Sequence, residues 1–262
     1  MKKIEKNGVV YFEFENIAAT GIVRHGFSSR IGGVSHGHFA SMNLGHKRGD
    51  NEENVKENYR LFCDALGVDA ENIVNGNQQH TTNIQTINHA PGLFDNTDGF
   101  VTNKPDVVLV TFYADCVPLL LCDPVRRVIA NCHAGWRGTA SNMAGTAVQK
   151  MMDNYGCNPN NILVGIGPSI SCKNFEVGVE VVQVFKDSLP FCSDFVYNSK
   201  YADDKYHIDL WAVNHTCFVK AGVPNENIET AGLCTFDDET HFYSHRRNGK
   251  NRGSLAAFIE LK

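Results

Sequence analysis

The sequence lacks an apolar run long enough to cross a bilayer. Its most apolar stretch, from Val107 to Cys122, is too short for a span and is interrupted by Asp115 and Pro118. The amino terminus carries lysines but no following apolar run of signal-peptide length, and it is typical of an edge strand. From these absences we expect neither a membrane protein nor a secreted one.

A disulfide framework is also missing. The sequence has 9 cysteines, an odd number, and none of them forms a CxxC pair. Small secreted domains that depend on disulfides show even numbers and regular spacings. The cysteine pattern therefore predicts a protein of the reducing cytoplasm.

Basic charge is not in excess, since 24 Lys and Arg stand against 29 Asp and Glu, for a formal net charge of -5. A nucleic-acid-binding surface or a membrane-surface helix needs clustered positive charge. We therefore expect small-molecule partners and neither nucleic acid nor a membrane.

Internal repeats, low-complexity segments and Pro/Ser-rich linkers are absent as well. A length of 262 residues allows one large domain or two small ones. Because no composition change marks a boundary, we predict one continuous domain over residues 1–262.

The chain mixes helical and strand patterns. The clearest helix follows Asp50, the predicted N-cap, and ends at Gly67, with Glu53 at the capping-box position. Three further helices are predicted: from about Ala140 to Tyr155, over 177–189, and over 208–222. Six short, β-branched segments predict strands: VVYFEF, NIQTI, VVLVTFY, VPLLLC, RVIANC and NILVGIG. The pattern indicates an α+β sandwich with mixed sheets and hairpins.

Two of these strands flank the sequence DPVR and predict a hairpin. If Pro124 and Val125 form a two-residue turn, the antiparallel register places Cys116 opposite His133. Directly opposed residues have Cβ atoms about 4.5–5.5 Å apart, close enough to share a metal ion or a proton.

The cysteines of this hairpin are predicted to have different roles. Cys122 and Cys132 are expected to be small core residues, the common state of a buried free cysteine. Cys116 is expected to be functional because Asp115 and Pro118 flank it, at the end of a strand where polar groups converge.

The segment HAGWRGT leaves the second strand through a glycine-rich turn and enters a helix, with Thr139 or Ser141 as the expected N-cap. A helix start attracts anions, and Arg137 adds a planar fork suited to phosphate or carboxylate. A surface ion pair is an equal alternative for Arg137. Arg30, in the glycine-rich segment HGFSSRIGGVSHG, is a second arginine candidate.

A third ligand cannot be selected by composition, because the chain has 11 histidines. His80 ranks slightly above the others, since it stands before a strand after the polar run GNQQ. A set of His80, Cys116 and His133 would suit Zn²⁺ and leave a fourth position for water or substrate.

The motifs NQQH, TNKPDVVLVTFYADCVPLLLCDP, HAGWRGT, GIGPSI, FEVGVEV and SHRRNGKNRG, in this order, resemble the laccase-domain or polyphenol-oxidase-like family. The resemblance covers essentially the whole chain. It implies a single-domain, layered α/β/β/α fold, and metal ligands at His80, Cys116 and His133. It also implies a purine nucleoside phosphorylase acting on adenosine, inosine and methylthioadenosine, with adenosine deamination as a further activity.

Copper-dependent phenol oxidation and peptidoglycan editing are also associated with the family. The site expected from this resemblance therefore contains Zn²⁺, with Cu²⁺ as the alternative. Arg137 and Arg30 would orient phosphate toward C1′ of the ribose. Asp115 would transfer a proton or, alternatively, orient a histidine.

Asn43 and Arg246 are further candidates for binding substrate or phosphate, with a simple turn role open for Asn43. Three other functions remain alternatives. The Cys116 and His133 pair would also serve a metal-free Cys-His hydrolase. A copper-dependent polyphenol oxidase would need more histidines in paired motifs. A non-enzymatic protein that binds cell-wall precursors is the third.

Overall fold

A computed structural model describes residues 1–200 and 202–262 of the chain. Its strands, in chain order, are β1 (Lys2–Lys6), β2 (Val9–Glu13), β3 (Val23–Ser28), β4 (Ile73–Asn77), β5 (Ile84–Thr86), β6 (Gly92–Asp95), β7 (Gly99–Thr102), β8 (Val108–Tyr113), β9 (Val117–Asp123), β10 (Val128–Ala134), β11 (Leu163–Ile166), β12 (Glu176–Gly178), β13 (Val196–Asn198), β14 (Lys205–Ile208), β15 (Ile228–Thr230) and β16 (Leu255–Leu261). The helices are α1 (Glu15–Ala18), α2 (Glu52–Leu66), α3 (Trp136–Ala140), α4 (Met143–Tyr155), α5 (Val179–Ser188), α6 (Leu210–Lys220) and α7 (His245–Asn248).

Two large mixed sheets form the centre of the fold. The first has the order β1-β2-β3-β16-β8-β4-β6 and the second β15-β11-β9-β10-β7-β5, while β12, β14 and β13 form a small third sheet. Strand β4 runs parallel to β6 and β8, and β5 runs parallel to β7, whereas β9, β10 and β11 pair antiparallel. The predicted α+β class with mixed sheets is confirmed, and the six predicted strands are β2, β5, β8, β9, β10 and β11. Strand β1 lies at a sheet edge, as expected.

The sheets and helices stack in four layers. Along β9, Leu119 and Leu121 face the core shared with α4, α5 and α6, while Leu120 and Cys122 face the first sheet. This period of two gives the second sheet two apolar faces. Helix α2 covers the outer face of the first sheet through residues such as Phe62. The α/β/β/α order expected from the resemblance is confirmed.

The first long helix begins one residue later than predicted. Asn51, not Asp50, is its N-cap, and its side chain accepts the backbone N–H of Glu53. The Asp50 carboxylate is used elsewhere, because it accepts hydrogen bonds from Ser35 Oγ and Asn43 Nδ2. The helix ends at the glycine at position 67, as predicted, in a left-handed conformation.

The helix predicted from about Ala140 is two helices. Helix α3 already begins after Gly135, and α4 has Asn142 as its N-cap, where the side chain accepts the N–H of Gly145. Neither Thr139 nor Ser141 is an N-cap, so that prediction is wrong. The break occurs because Asn142 adopts a left-handed backbone, with φ of 60°, which no continuous α-helix accommodates. Helices α5 and α6 confirm the other two predicted segments.

The β9–β10 hairpin forms, but in a different register from the one predicted. His133 pairs with Pro118, so Cys116 lies just before the strand and not directly opposite the histidine. The error is a shift of two residues, which leaves each side chain on the same face of the sheet.

The reason for this shift is a longer turn. The connection spans residues 124–127, because Asp123 Oδ1 accepts the N–H groups of both Val125 and Arg126. Arg127 then takes φ of 53° to re-enter the next strand. Among the described residues, no helix combines the length and the apolar character that a membrane span requires.

Candidate active site

Three side chains from both large sheets converge at one end of the sandwich. His80 follows β4, Cys116 lies between β8 and β9, and His133 is the penultimate residue of β10. Their candidate ligand atoms all lie within 4.8 Å of one another, and Cys116 Sγ is 3.8 Å from His80 Nε2. The structure thus brings together the three residues that the sequence and the family resemblance predicted.

This donor set fits a zinc ion. Zinc bonds of about 2.0–2.3 Å in a tetrahedral site place neighbouring ligand atoms roughly 3–4 Å apart. The separation of 3.8 Å between Cys116 Sγ and His80 Nε2 matches that spacing. One thiolate and two imidazoles leave a fourth position, as zinc sites in enzymes require.

Asp98, which the sequence analysis missed, orients two of the three ligands. Its Oδ1 lies 2.9 Å from His133 Nδ1, which leaves Nε2 of this ring as the nitrogen available to a metal. The same carboxylate accepts the backbone N–H of Gln79, His80 and Thr81. In the sequence, Asp98 is recognisable only as a carboxylate directly before a buried strand. Its role becomes apparent only from the pairing of β7 with β10.

Cys116 is placed by a strained turn between the two sheets. Asp115 has φ of 86°, a left-handed conformation that non-glycine residues rarely adopt. Its carboxylate accepts hydrogen bonds from Thr235 Oγ1, Ser244 Oγ and the backbone N–H of Arg246. Asp115 therefore ties the turn to the carboxyl-terminal segment, and it does not line the cavity described below.

The electrostatics distinguish Cys116 from the core cysteines. Burial raises the pKa of the Cys116 thiol, but the charge of His133 and hydrogen bonds from His133 and His80 outweigh burial and lower it to about 6. Burial is the main cause that raises the pKa of Cys122 and Cys132 to about 12, and both are fully buried, which confirms their predicted role in the core. Cys116 is thus suited to be a thiolate ligand.

The two acidic partners of His133, Cys116 and Asp98, favour its protonated form. Burial lowers the pKa of His133, but the Cys116 thiolate and the hydrogen bond to Asp98 raise it to about 9. Burial would raise the pKa of Asp98, but His133 and the loop amides lower it to about 2. The three groups form one coupled network in which each charge depends on its neighbours.

Gly135 lies directly against two of the candidate ligands. A Cβ at this position would lie 2.7 Å from His80 Cδ2 and 3.2 Å from Cys116 Sγ. The first distance is too short for a carbon atom and the second is tight, so any side chain at position 135 would displace the His80 ring.

The cluster opens into a cavity of about 1030 Å³. One part of its wall carries amide side chains: Asn75, Asn77, Gln78, Gln79 and Asn96. Another part carries basic side chains: His46, Lys47, Arg48, His245 and Arg252. A polar cavity next to a metal-binding cluster is the usual form of a site for a small polar substrate.

Two of the predicted arginines lie outside this cavity. The Arg137 side chain is exposed and its Cζ lies 4.2 Å from the centre of the Trp136 ring. Arg30 donates from Nε to the carbonyl of Ala40 and stacks 4.8 Å above Tyr243. The structure does not bring either guanidinium to the cluster.

Arg246 and Asn43 both form hydrogen bonds with backbone groups. Arg246 donates from Nη1 to the carbonyls of Asn174 and Glu176. Asn43 is buried, and its Oδ1 accepts the N–H groups of Gly45 and Ser254, both of which line the cavity. Asn43 therefore makes the turn contact considered above and joins two wall segments.

Arg252 is the second residue that the sequence analysis missed. It is buried at the cavity wall, and its Nη1 donates to the carbonyl of Gly253. Burial and the nearby charge of Arg48 lower its pKa to about 10. One arginine among several in SHRRNGKNRG carries no signal of its own, so only the fold distinguishes it.

The fold and site together define a class: a layered α/β/β/α protein with a His-Cys-His cluster that opens into a polar cavity. Residues 24–262 match the family described as multi-copper polyphenol oxidoreductase laccase, and the chain belongs to this family. The resemblance stated from the motifs is confirmed.

The chain is similar to enzymes and solved structures of this family. Purine nucleoside phosphorylase YlmD of Bacillus subtilis is 32% identical over 246 residues, covering 90% of this chain and 88% of the relative. Adenosine deaminase RL5 of an unknown prokaryotic organism is 34% identical over 233 residues, covering 86% and 88%. The crystal structure of YlmD from Geobacillus stearothermophilus superposes with a TM-score of 0.89 at 30% identity, covering 99% and 98%. These relatives identify the chain as an enzyme with small-molecule substrates.

Proposed function

We propose that the chain is a zinc-dependent purine nucleoside phosphorylase that uses phosphate to cleave adenosine, inosine and methylthioadenosine. The observation that carries the proposal is the cluster of His80, Cys116 and His133 at the wall of a polar cavity that also holds basic side chains. The name of the Bacillus subtilis relative supports the reaction class.

The residues around the cavity would have separate roles, according to where they lie. A zinc ion held by His80, Cys116 and His133 would supply a Lewis acid that polarises an oxygen of the substrate. Asp98 keeps the His133 ring in one orientation and tautomer through Nδ1. The amide side chains of the wall offer donors and acceptors to a base and a ribose, and the basic side chains attract phosphate.

The donor set favours zinc over copper. A thiolate with two imidazoles in a tetrahedral arrangement is typical of zinc. Among residues 1–200 and 202–262, a single His/Cys group of this kind is found, whereas a multi-copper centre needs several. We therefore propose zinc, although the family description names copper.

Adenosine deamination is a second candidate activity at the same site. The observation that favours it is the 34% identity to a relative named adenosine deaminase. A metal-free Cys-His hydrolase would instead keep its activity after chelation, because its nucleophile would be the thiolate itself.

The experiment measures zinc content and ribose-1-phosphate after addition of inosine and phosphate. Wild type should bind one zinc per chain and form the product, and Cys116→Ala should lose both. Cys172→Ala, which removes a half-buried thiol that is not part of the cluster, is the matched control and should keep both. Absence of ribose-1-phosphate from zinc-loaded wild type would contradict the proposal.

Two broader properties belong to the same proposal. We place the protein in the cytoplasm because its cysteines are all free, which suits a reducing compartment. We also treat residues 1–262 as one domain, since the buried clusters share the faces of the two central sheets.

A further inference from the structure

Arg252 is a buried cation that forms no ion pair within the described part of the chain. Arg252 is only 9% exposed, and its Nε has no hydrogen-bond partner among residues 1–200 and 202–262. Its Nη1 contacts the carbonyl of Gly253 and Ser254 Oγ, both in its own loop. Among the described residues, no carboxylate forms an ion pair with it, and an unpaired buried charge is costly unless a ligand compensates it.

The acidic groups near the cavity are already engaged. Both oxygens of Asp115 accept hydrogen bonds from the carboxyl-terminal segment, as described above. Glu52 is paired with His46 at 3.0 Å, and Asp95 accepts from Asn77 Nδ2. The charge of Asp115 favours the charged form of Arg252, but none of these carboxylates forms an ion pair with it.

A second arginine and a hydroxyl lie beside Arg252. Arg48 reaches the same wall, where a Cβ on Gly45 would meet both Ser254 Oγ at 2.5 Å and Arg48 Cδ at 3.1 Å. The hydroxyl and the Arg48 stem thus approach one point from two segments. Asn43 Oδ1 fixes that arrangement because it accepts the N–H groups of both Gly45 and Ser254.

This group faces the same cavity as the metal-binding cluster. Arg48, Arg252 and Ser254 line the cavity together with Cys116 and His133. Two guanidinium groups and a hydroxyl match the charge and the hydrogen-bond acceptors of a tetrahedral oxyanion.

We propose that Arg252, Arg48 and Ser254 form the subsite that binds inorganic phosphate. The inference rests on the proposed phosphorylase function and assigns its second substrate to residues. In the reaction, a phosphate oxygen forms a bond to C1′ of the ribose and the C1′–N9 bond breaks. The electron pair of that bond goes to N9 of the purine, and the proton of hydrogenphosphate is transferred to the released base.

The subsite replaces Arg137 and Arg30 as the phosphate-binding groups, because their guanidinium groups lie outside the cavity. The two assignments are distinguishable by substitution. Steady-state rates of ribose-1-phosphate formation are measured with zinc-loaded protein, at saturating inosine with varied phosphate and then at saturating phosphate with varied inosine.

Arg252→Met should raise the phosphate KM at least about tenfold and change the inosine KM less than about twofold, since a lost charged hydrogen bond weakens only the ligand it contacts. Arg252→Lys should fall between wild type and Arg252→Met, because it keeps the charge and loses the fork. Arg60→Met, on the exposed face of α2, is the matched control and should keep both KM values. An unchanged phosphate KM in Arg252→Met, or a larger rise in Arg137→Met, would overturn the assignment.

Direct binding separates this inference from the proposed function. Phosphate is titrated calorimetrically into zinc-loaded protein without nucleoside, for wild type, Arg48→Met and Arg252→Met. Arg48 is exposed, so its variant tests the subsite even if replacement of the buried arginine prevents folding. Both variants should bind phosphate at least about tenfold more weakly.

The outcomes point to different conclusions. Wild type that binds phosphate through these arginines but forms no ribose-1-phosphate keeps the subsite and refutes the phosphorylase. Wild type that forms ribose-1-phosphate while either folded variant retains wild-type phosphate affinity keeps the phosphorylase and refutes the subsite.

Discussion

The Asp98 carboxylate connects the loop that carries His80 to the strand that carries His133. It contacts the backbone of the first and the ring of the second. A ligand held by such a partner loses little rotational freedom when a metal binds, and the metal affinity rises accordingly.

Replacement of Asp98 by Asn tests this role at the scale of one residue. We expect Asp98→Asn to weaken zinc binding about 10–100-fold, because the neutral amide no longer orients the His133 ring or raises the basicity of its Nε2. The measurement is a competition titration with a chromophoric chelator. Asp64→Asn, on the exposed side of α2, serves as the control. Zinc affinity equal to that of wild type in Asp98→Asn would show that the ligands need no such support.

Among single residues, those with unusual chemistry can be predicted from the sequence. Those whose role depends on partners distant in the chain cannot. Cys116 and His133 were predicted to be neighbours from one hairpin. Asp98 contacts a histidine 35 residues away, across strands that local patterns do not pair. His80 was selected among the histidines by the motif around it, and no feature of the sequence around Arg252 distinguishes that residue.

At the scale of elements, the entry into α3 depends on Gly135. The helix starts where the chain passes directly over His80 and Cys116, with no room for a side chain. The backbone angles of Gly135, with φ of -66°, are allowed for any residue, so its requirement is purely steric.

Gly135→Ala should therefore disturb the site more than the fold. The added Cβ would displace the His80 ring, and we expect zinc affinity to fall at least about tenfold while the melting temperature of the zinc-free protein changes little. Gly138→Ala is the matched control in the same helix, because its Cβ would meet atoms only at 3.3 Å or beyond. Similar zinc affinity in both variants would refute the steric argument.

Some features of the helices and strands can be predicted from the sequence, and others cannot. Apolar periodicity and a capping pattern predict α2, α5 and α6 to within a few residues, because those signals are local. The β9–β10 register was wrong because an aspartate side chain stabilises a four-residue turn in place of the tighter one. The α3–α4 break depends on one left-handed asparagine, a conformation that no periodic pattern reveals.

At the scale of the whole molecule, a buried histidine links stability to pH. His25 lies on β3, accepts the N–H of Phe14 at Nε2 and stacks on that ring. Burial lowers the pKa of His25 from its ordinary value of 6.5 to about 4. Because the folded pKa is depressed, this histidine favours folding above pH 6.5, and its contribution is lost as pH falls toward 4.

The loss amounts to about 3 kcal/mol of unfolding free energy between neutral pH and pH 4. His25→Gln keeps an acceptor for the Phe14 amide but does not titrate, so its stability should fall less over this range. Urea unfolding at several pH values gives the slopes, and the exposed His36→Gln should follow wild type. Parallel pH slopes for wild type and His25→Gln would contradict a neutral, buried His25.

We propose that one thiolate and two imidazoles, brought together from both sheets, bind a single zinc ion. X-ray absorption at the zinc edge of the reconstituted protein tests it most directly. The spectrum of wild type should show one sulfur at about 2.3 Å and two histidine nitrogens at about 2.0–2.1 Å, and Cys116→Ala should lose the sulfur shell. A spectrum without sulfur in wild type, or with the same sulfur shell in Cys116→Ala, would contradict it.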